Sequence, residues 1–338
     1  MTTMSGTVPQ ATAIEDHLRR ASGAEVTVTA LAPLGGGAVQ DLLRVEVTGL
    51  DVTRLVLRSD APQGLPGSLD RARERVVVEV ARAAGVRTPA GRWPGVGLVR
   101  PGASAYFLDW VDGEALGRRV VSAPALAAAR AALGAQLAQE LAKLHAITPQ
   151  RRELIDALGL PPANPLQAQV RALRSMADGL REPRPAVEVA LAWLAARAAE
   201  RPASPVVLVH GDFRTGNFLV REDGLAAVLD WEFARWSAPE EDLAWLCVRD
   251  WRFGQLALAA GGVARRADFF RAYAQASGRE VDGGLVRTWE VLGNVRWALG
   301  CLAQGARYAQ RPDLELAAIA RRAPEMEWEA LRLIEEAP

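Results

Sequence analysis

The chain has 338 residues, half of them apolar and 24% charged, with 40 basic and 40 acidic side chains that cancel to a formal net charge of zero. That balance belongs to a soluble globular protein with one or two cores, and it supplies no global field to draw the chain to nucleic acid or an anionic membrane. Two cysteines and three histidines without metal-ligand spacing exclude a disulfide framework and a structural zinc site.

The opening "MTTMSGTVPQ" lacks the basic stretch and apolar core of a secretion signal, and no apolar run is long enough to span a bilayer, so the cytoplasm is the expected compartment. "ATAIEDHLRRAS" predicts a short amphipathic helix. "EVTVTALAPL", "LLRVEVTG" and "TRLVLRS" predict antiparallel strands, the first joined to the second through "LGGGAVQD". The stretch from Gly67 to Gly85 predicts a helix, with Leu69, Val76, Val77 and Val80 at helical spacing. "VGLVR" and "SAYFLDWVDG" predict two further strands.

From Ala123 onward the pattern becomes helical, with breaks at "GLPPANP" and "REPRP". Helices return in "EEDLAWLCVRDW", "ADFFRAYAQAS" and "GLVRTWEVLGNVRWALGCLAQGARYA", and a last one runs to the C-terminus. Only "VLVHGDFRTGNFLV" and "AAVLDWEFA" interrupt this with short strands, around Val207–Val209, Phe218–Val220 and Ala227–Leu229. A strand-rich front before a helical rear is an α+β arrangement in two lobes, 1–111 and 112–338, with a ligand cleft expected where they meet.

The polar residues at the rims of these strands carry the chemistry. Asp212 and Asn217 stand five apart, and Asp230 follows Asp212 by eighteen. Asn217 and Asp230 form an oxygen pair suited to Mg²⁺, which keeps several waters and bridges to phosphates. Asp212 is then left to accept a proton from an alcohol, as phosphoryl transfer requires. A metal-dependent hydrolase using His210, Asp212 and Asp230 as ligands is a weaker reading, because further ligands at suitable spacing are not evident.

"HGDFRTGNFLV…LDWEFA" resembles the His-Gly-Asp-x-x-x-x-Asn and Asp-Trp-Glu motifs of the aminoglycoside phosphotransferase (phosphotransferase enzyme) family, which has a protein-kinase-like fold. The blocks "VLRSDAPQGLPGSLDRARERVVVEVARAAGVRTP", "EEDLAWL" and "WEVLGNVRWALG" extend the resemblance over most of the chain, nearest the branch fused to some acyl-CoA dehydrogenases. It implies an antiparallel-sheet N-lobe, a mostly helical C-lobe, ATP with GTP left open, and Mg²⁺. Asp212 takes the catalytic position, and Asn217 and Asp230 the metal positions. Gly35, Gly36 and Gly37 fall in the nucleotide-covering loop. Arg58 stands where kinases carry a strand lysine, and Glu74 matches its helix partner. Backbone groups near Trp110 and Val111 would meet the base.

The implied acceptor is a small-molecule hydroxyl, with a hydroxyacyl-CoA thioester favoured by the branch. A nucleotide-binding module without turnover and an antibiotic phosphotransferase are the alternatives. His210 and His145 read as structural and His17 as surface. Asp242 reads as a brace for the catalytic loop, Glu232 as either a neighbour of the metal or a surface charge, and Arg214 as a contact for a phosphate or anionic substrate. Trp245, Trp251, Trp289 and Trp297 read as core, with some of them open to an acceptor pocket.

Overall fold

A computed structural model describes residues 11–34, 41–62, 64–200, 204–310 and 314–337. The chain forms two compact units: one holds the residues up to Asp112 together with Ala227–Ala234, the other Gly113–Ala226 and the chain from Arg235 onward.

In the first unit, helix α1 (Ala11–Ser22) precedes strands β1 (Thr27–Pro33), β2 (Asp41–Thr48) and β3 (Arg54–Ser59), helix α2 (Arg71–Ala83), and strands β4 (Gly91–Val96) and β5 (Ser104–Asp109). The strands make one antiparallel sheet in the order β1-β2-β3-β5-β4. Strand alternation sends Leu55 and Leu57 of β3 to one face, into a core with Ile14 and Leu18 of α1, Val45, Val47 and Phe107. The opposite parity sends Arg58 to the other face, paired in register with Tyr106 of β5, and α2 packs over β4 and β5.

Three details depart from the expected elements. Helix α2 starts at Arg71 rather than Gly67, because Asp70 caps it by accepting from the Arg73 N–H at 2.8 Å. "VGLVR" is not a strand: β4 ends at Val96, and Gly97 (φ +79°) turns the chain back with its N–H on the Ala103 carbonyl. His17 is not a free surface residue; its Nε2 lies 3.2 Å from the Trp93 carbonyl oxygen and its ring stacks on Phe107.

The segment 227–234 belongs to the first unit through three bonds. The Val228 N–H donates to the Arg87 carbonyl (2.7 Å), the Leu69 N–H to the Glu232 carbonyl (2.7 Å), and Trp231 Nε1 to Thr88 Oγ1 (3.0 Å). A 3-10 turn over Trp231–Phe233 thereby sits against α2.

The second unit contains helices α3 (Gly117–Ser122), α4 (Ala127–Leu144), α5 (Arg152–Leu158), α6 (Pro165–Asp178) and α7 (Pro185–Glu200). Strand β6 (Val207–Val209) pairs with the unexpected β9 (Arg235–Ser237), and β7 (Phe218–Arg221) pairs with β8 (Gly224–Val228), which runs across the unit boundary. Then come α8 (Pro239–Cys247), α9 (Arg266–Ser277), α10 (Gly283–Gln310), α11 (Leu314–Ala320) and α12 (Ala323–Glu335). The break at "GLPPANP" is a cap: Asn164 accepts from the Gln167 N–H, and Pro165 occupies the first helical position.

A buried polar post fixes the loop after β6. Asp242, in the first turn of α8, accepts from the backbone N–H of His210 (2.7 Å) and of Gly211 (2.9 Å). His145, the cap residue of α4, lies 3.2 Å from the same carboxylate through Nε2 and 2.8 Å from the Tyr273 hydroxyl of α9 through Nδ1. Asp242, His145 and His210 are all fully buried. His210 therefore works through the loop backbone, and Asp242 as its brace.

Burial alone would raise the Asp242 carboxyl, but the hydrogen bond and charge of His145 and the His210 N–H outweigh it and hold it below the usual carboxylate value. A lowered native value gives stability that is present above the unfolded value of about 3.9 and is lost as the pH falls toward the native one. Asp242→Asn is expected to cost about 2–4 kcal/mol at pH 7 and to flatten the loss of stability below about pH 4. Urea unfolding of both proteins between pH 3 and 7 measures both effects.

Candidate active site

The loop between β6 and β7 is built around Asp212, 7% exposed. Its Oδ1 accepts from Trp245 Nε1 at 2.7 Å, and both carboxylate oxygens accept from Arg214 Nε at 3.1 and 3.2 Å. Asn217 Nδ2 donates to Oδ2 at 2.7 Å and to the Asp212 carbonyl at 3.0 Å. The turn is closed by the Asn217 N–H on the Arg214 carbonyl, and the Asp212 N–H donates to His210 Nδ1 at 3.2 Å. Thr215 ties the loop down through Oγ1 to the Gly261 carbonyl (2.7 Å).

Two arginines and two tryptophans surround this carboxylate. The Arg214 guanidinium lies 4.5 Å over the Trp251 ring, Arg296 lies 4.6 Å over Trp245, and the two indoles are 5.4 Å apart. Arg296 Nη1 also donates to the Gly211 carbonyl at 2.6 Å. Burial, and then the charge of Arg235, pushes the Arg296 guanidinium down to about 10. Gly216 beside Arg214 has φ +110°, a conformation that strains any residue with a Cβ.

Asp212 and Asn217, five apart on one loop, touch directly. Arg214, expected against a phosphate or anionic substrate, bonds Asp212. Trp245 is buried as core and also donates to Asp212. That second role escaped sequence reasoning, although Asp242 and Trp245 are three apart on α8 and so share the face that meets the loop.

In the first unit, Arg58 Nη2 donates to Glu74 Oε1 at 2.8 Å and to Asp230 Oδ1 at 3.0 Å. Burial works against the Arg58 charge, but Glu74, Tyr106 and Asp230 overcome it and raise the group above its ordinary value. Asp230 sits in the left-handed region (φ +68°, ψ +66°), a conformation that short polar side chains tolerate better than others.

Glu232 is buried, which removes the surface-charge reading, and it accepts from Arg71 Nη2 at 2.8 Å. Arg71, absent from the expected site, also pairs with Glu74 Oε2. Burial, reinforced by the charge of Asp230, pushes the Glu232 carboxyl up to about 7.

At the expected base-binding stretch, the Trp110 N–H is taken by the Arg54 carbonyl at 3.3 Å. That corrects any reading in which this N–H meets a base; the Trp110 carbonyl and the Val111 backbone remain as candidates. Trp110 is further held by its Nε1 on Asp112 (2.8 Å) and by Arg54 over its ring. Gly35, Gly36 and Gly37 lie outside the described residues.

The residues expected to hold Mg²⁺ suit it chemically. Asn217 commits its amide nitrogen to Asp212, and its amide oxygen is the atom a hard cation would take. Around Asp230, Arg58 and Arg71 bridge the carboxylates of Glu74, Asp230 and Glu232, and Arg71 also nears Asp60. Among the described residues no group of three or more His, Cys, Asp or Glu is arranged to hold an ion alone.

Residues 30–281, most of the chain, match the phosphotransferase enzyme family. A protein of Ralstonia eutropha JMP134 described as an aminoglycoside phosphotransferase shares the fold at a TM-score of 0.76 and 20% identity, over 97% of this chain and 98% of that one. A choline/ethanolamine kinase family protein from Mesorhizobium loti matches at 0.60 and 20%, over 90% and 88%. Wild-type aminoglycoside 2'-phosphotransferase-IIIa, solved as its GDP complex, matches at 0.57 and 19%, over 97% and 98%. An antiparallel-sheet first unit and a helical second one are the protein-kinase-like fold of these proteins. With its motifs in order and the match spanning most of its length, the chain belongs to the phosphotransferase enzyme family.

Proposed function

We propose that the protein transfers the γ-phosphoryl group of a nucleoside triphosphate to a hydroxyl of a small molecule, with Mg²⁺. The observation that carries this reading is the setting of Asp212: a carboxylate almost removed from water and fixed by Trp245, Arg214 and Asn217 is a preset acceptor for an alcohol proton. In the proposed step the acceptor oxygen attacks the γ-phosphorus in line. The bond to the β,γ-bridging oxygen breaks with its electrons leaving on the nucleoside diphosphate, and the hydroxyl proton passes to Asp212.

Asn217 and Asp230 are the proposed Mg²⁺ donors, and the ion supplies neutralisation of phosphate charge when bound. Arg58, oriented by Glu74, is the proposed grip on the α- and β-phosphates. Its Nη2 alone serves both carboxylates, so phosphate would be a third partner for the same guanidinium. The Trp110 carbonyl and the Val111 backbone are proposed to meet the base, and Gly35, Gly36 and Gly37 to cover the phosphates. In this division residues 1–111 handle the nucleotide and the helical remainder handles the acceptor.

ATP is the expected donor, and the GDP complex of the 2'-phosphotransferase makes GTP the second to test. The acceptor panel takes aminoglycosides and choline-like alcohols from the proteins of similar fold, and hydroxyacyl-CoA thioesters from the sequence resemblance alone.

At a hundredfold excess over Kd, MgATP or MgGTP is expected to raise the melting temperature by roughly 3–5 °C. That gain is expected to vanish in Asp230→Ala. A wild type that gains nothing from either nucleotide overturns the reading. Once an acceptor is found, Asp212→Asn is expected to lower kcat by about 100- to 10,000-fold while nucleotide binding persists. Phosphate transfer at the wild-type rate in that variant would remove Asp212 from the proton step.

A further inference from the structure

Arg71 is a cation at the first position of a helix, where the backbone dipole favours anions, and it is only 5% exposed. Such a placement needs specific partners, and their arrangement is regular. The two oxygens of Glu74 each take one guanidinium, Oε1 that of Arg58 and Oε2 that of Arg71. Each arginine then reaches one end of the Asp-Trp-Glu segment: Arg58 meets Asp230 at 3.0 Å, and Arg71 meets Glu232 at 2.8 Å. Arg71 is tied down further by Nη2 on the Leu69 carbonyl (3.2 Å) and by its own N–H on Asp60 Oδ1 (2.8 Å). The Leu69 N–H in turn donates to the Glu232 carbonyl.

One carboxylate on α2 is therefore linked to Asp230 by two bridges, one direct through Arg58 and one through Arg71 and Glu232. The direct bridge runs through a single nitrogen, Nη2 of Arg58, on the guanidinium that the proposed function assigns to nucleotide phosphates. The second bridge has no such competing duty.

On that reading of the function, we propose that Arg71 is a positioning residue that holds Glu232, and with it Asp230, in register with Glu74 while Arg58 engages the nucleotide. The requirement is for a fork rather than a charge. A guanidinium spans two carboxylates through separate nitrogens, whereas an ammonium is a single point.

The test compares ATP affinity by calorimetry, with Mg²⁺ and with EDTA, in the wild type, Arg71→Met, Arg71→Lys, Glu232→Gln and the Arg71→Met/Glu232→Gln double variant. Each single change is expected to weaken MgATP binding roughly 10- to 100-fold, as loss of a group that orients a metal ligand does. Binding of ATP in EDTA should stay within about twofold. The double variant should lose no more than its worse parent, and Arg71→Lys should resemble Arg71→Met.

Unchanged MgATP affinity, additive losses, or equal losses with and without Mg²⁺ would each overturn the proposal, the last by showing a merely structural role. If Arg71→Met fails to fold, Glu232→Gln, which keeps its shape, carries the same comparison against wild type. A wild type that binds no nucleotide overturns the phosphotransferase reading and this proposal together. A wild type that binds, with variants that match it, overturns the positioning role alone.

Discussion

The carboxylate of Glu74 is the constraint on which the polar face of the first unit depends. It is 1% exposed and carries an arginine on each oxygen. Strand parity sends the side chain of Arg58 to that face whatever its chemistry, and helical spacing brings Arg71 and Glu74 onto one side of α2. Without the shared acid, two guanidiniums would be buried together with only the 230–232 segment and Asp60 to answer them. Buried ion clusters of this kind contribute little net stability, because desolvation offsets attraction, but losing one member leaves an uncompensated charge that costs about 3–5 kcal/mol. What the cluster secures is geometry: β3, α2 and the Asp-Trp-Glu turn are held at fixed offsets.

Half of this cluster was legible in the sequence. Arg58 and Glu74 could be paired because ordered motif blocks flank both, and the pair is present at 2.8 Å. Arg71 and Glu232 stand 161 residues apart, in a chain so rich in arginine that no single one draws attention. Hydropathy was of no help either. The buried stripe of α2 opens with Arg71 and Glu74 before turning apolar at Val77, Val78 and Ala81, and a pattern that equates charge with exposure reads its first turn as surface.

The loop after β6 was more legible, because several of its partners are local. Asp212 and Asn217 close one short turn, so their spacing carries the contact, and the bracing role of Asp242 followed from its place at a helix start. The misses there come from residues with two roles at once. Trp245 packs in a core of aromatic rings and yet spends its indole N–H on Asp212, and helical spacing reports only the first of these. Tyr273 meets His145 across 128 residues, a pairing that no local pattern contains. The shift of β4 toward Gly91 has a similar origin. Apolar "VGLVR" outweighs "GRWPGV" on propensity, yet the bulge between Arg92 and Gly95 and the turn at Gly97 decide where the ladder ends.

Arginine in place of a strand lysine follows from the same physics. A buried lysine is the more easily deprotonated of the two, although carboxylates on either side would favour its charged form. A guanidinium stays charged. In an enclosure that pushes the Glu232 carboxyl up to about 7, a permanent cation keeps the bridge to Glu74 and Asp230 intact whether or not other charges are present. A second guanidinium alongside it gives Glu74 a separate link to the Asp-Trp-Glu segment. Arg58 and Arg71 are thus better understood as one device than as a substituted lysine with a neighbour. The acid content of the Asp-Trp-Glu segment, with a glutamate two residues beyond Asp230, is what gives the second arm something to hold.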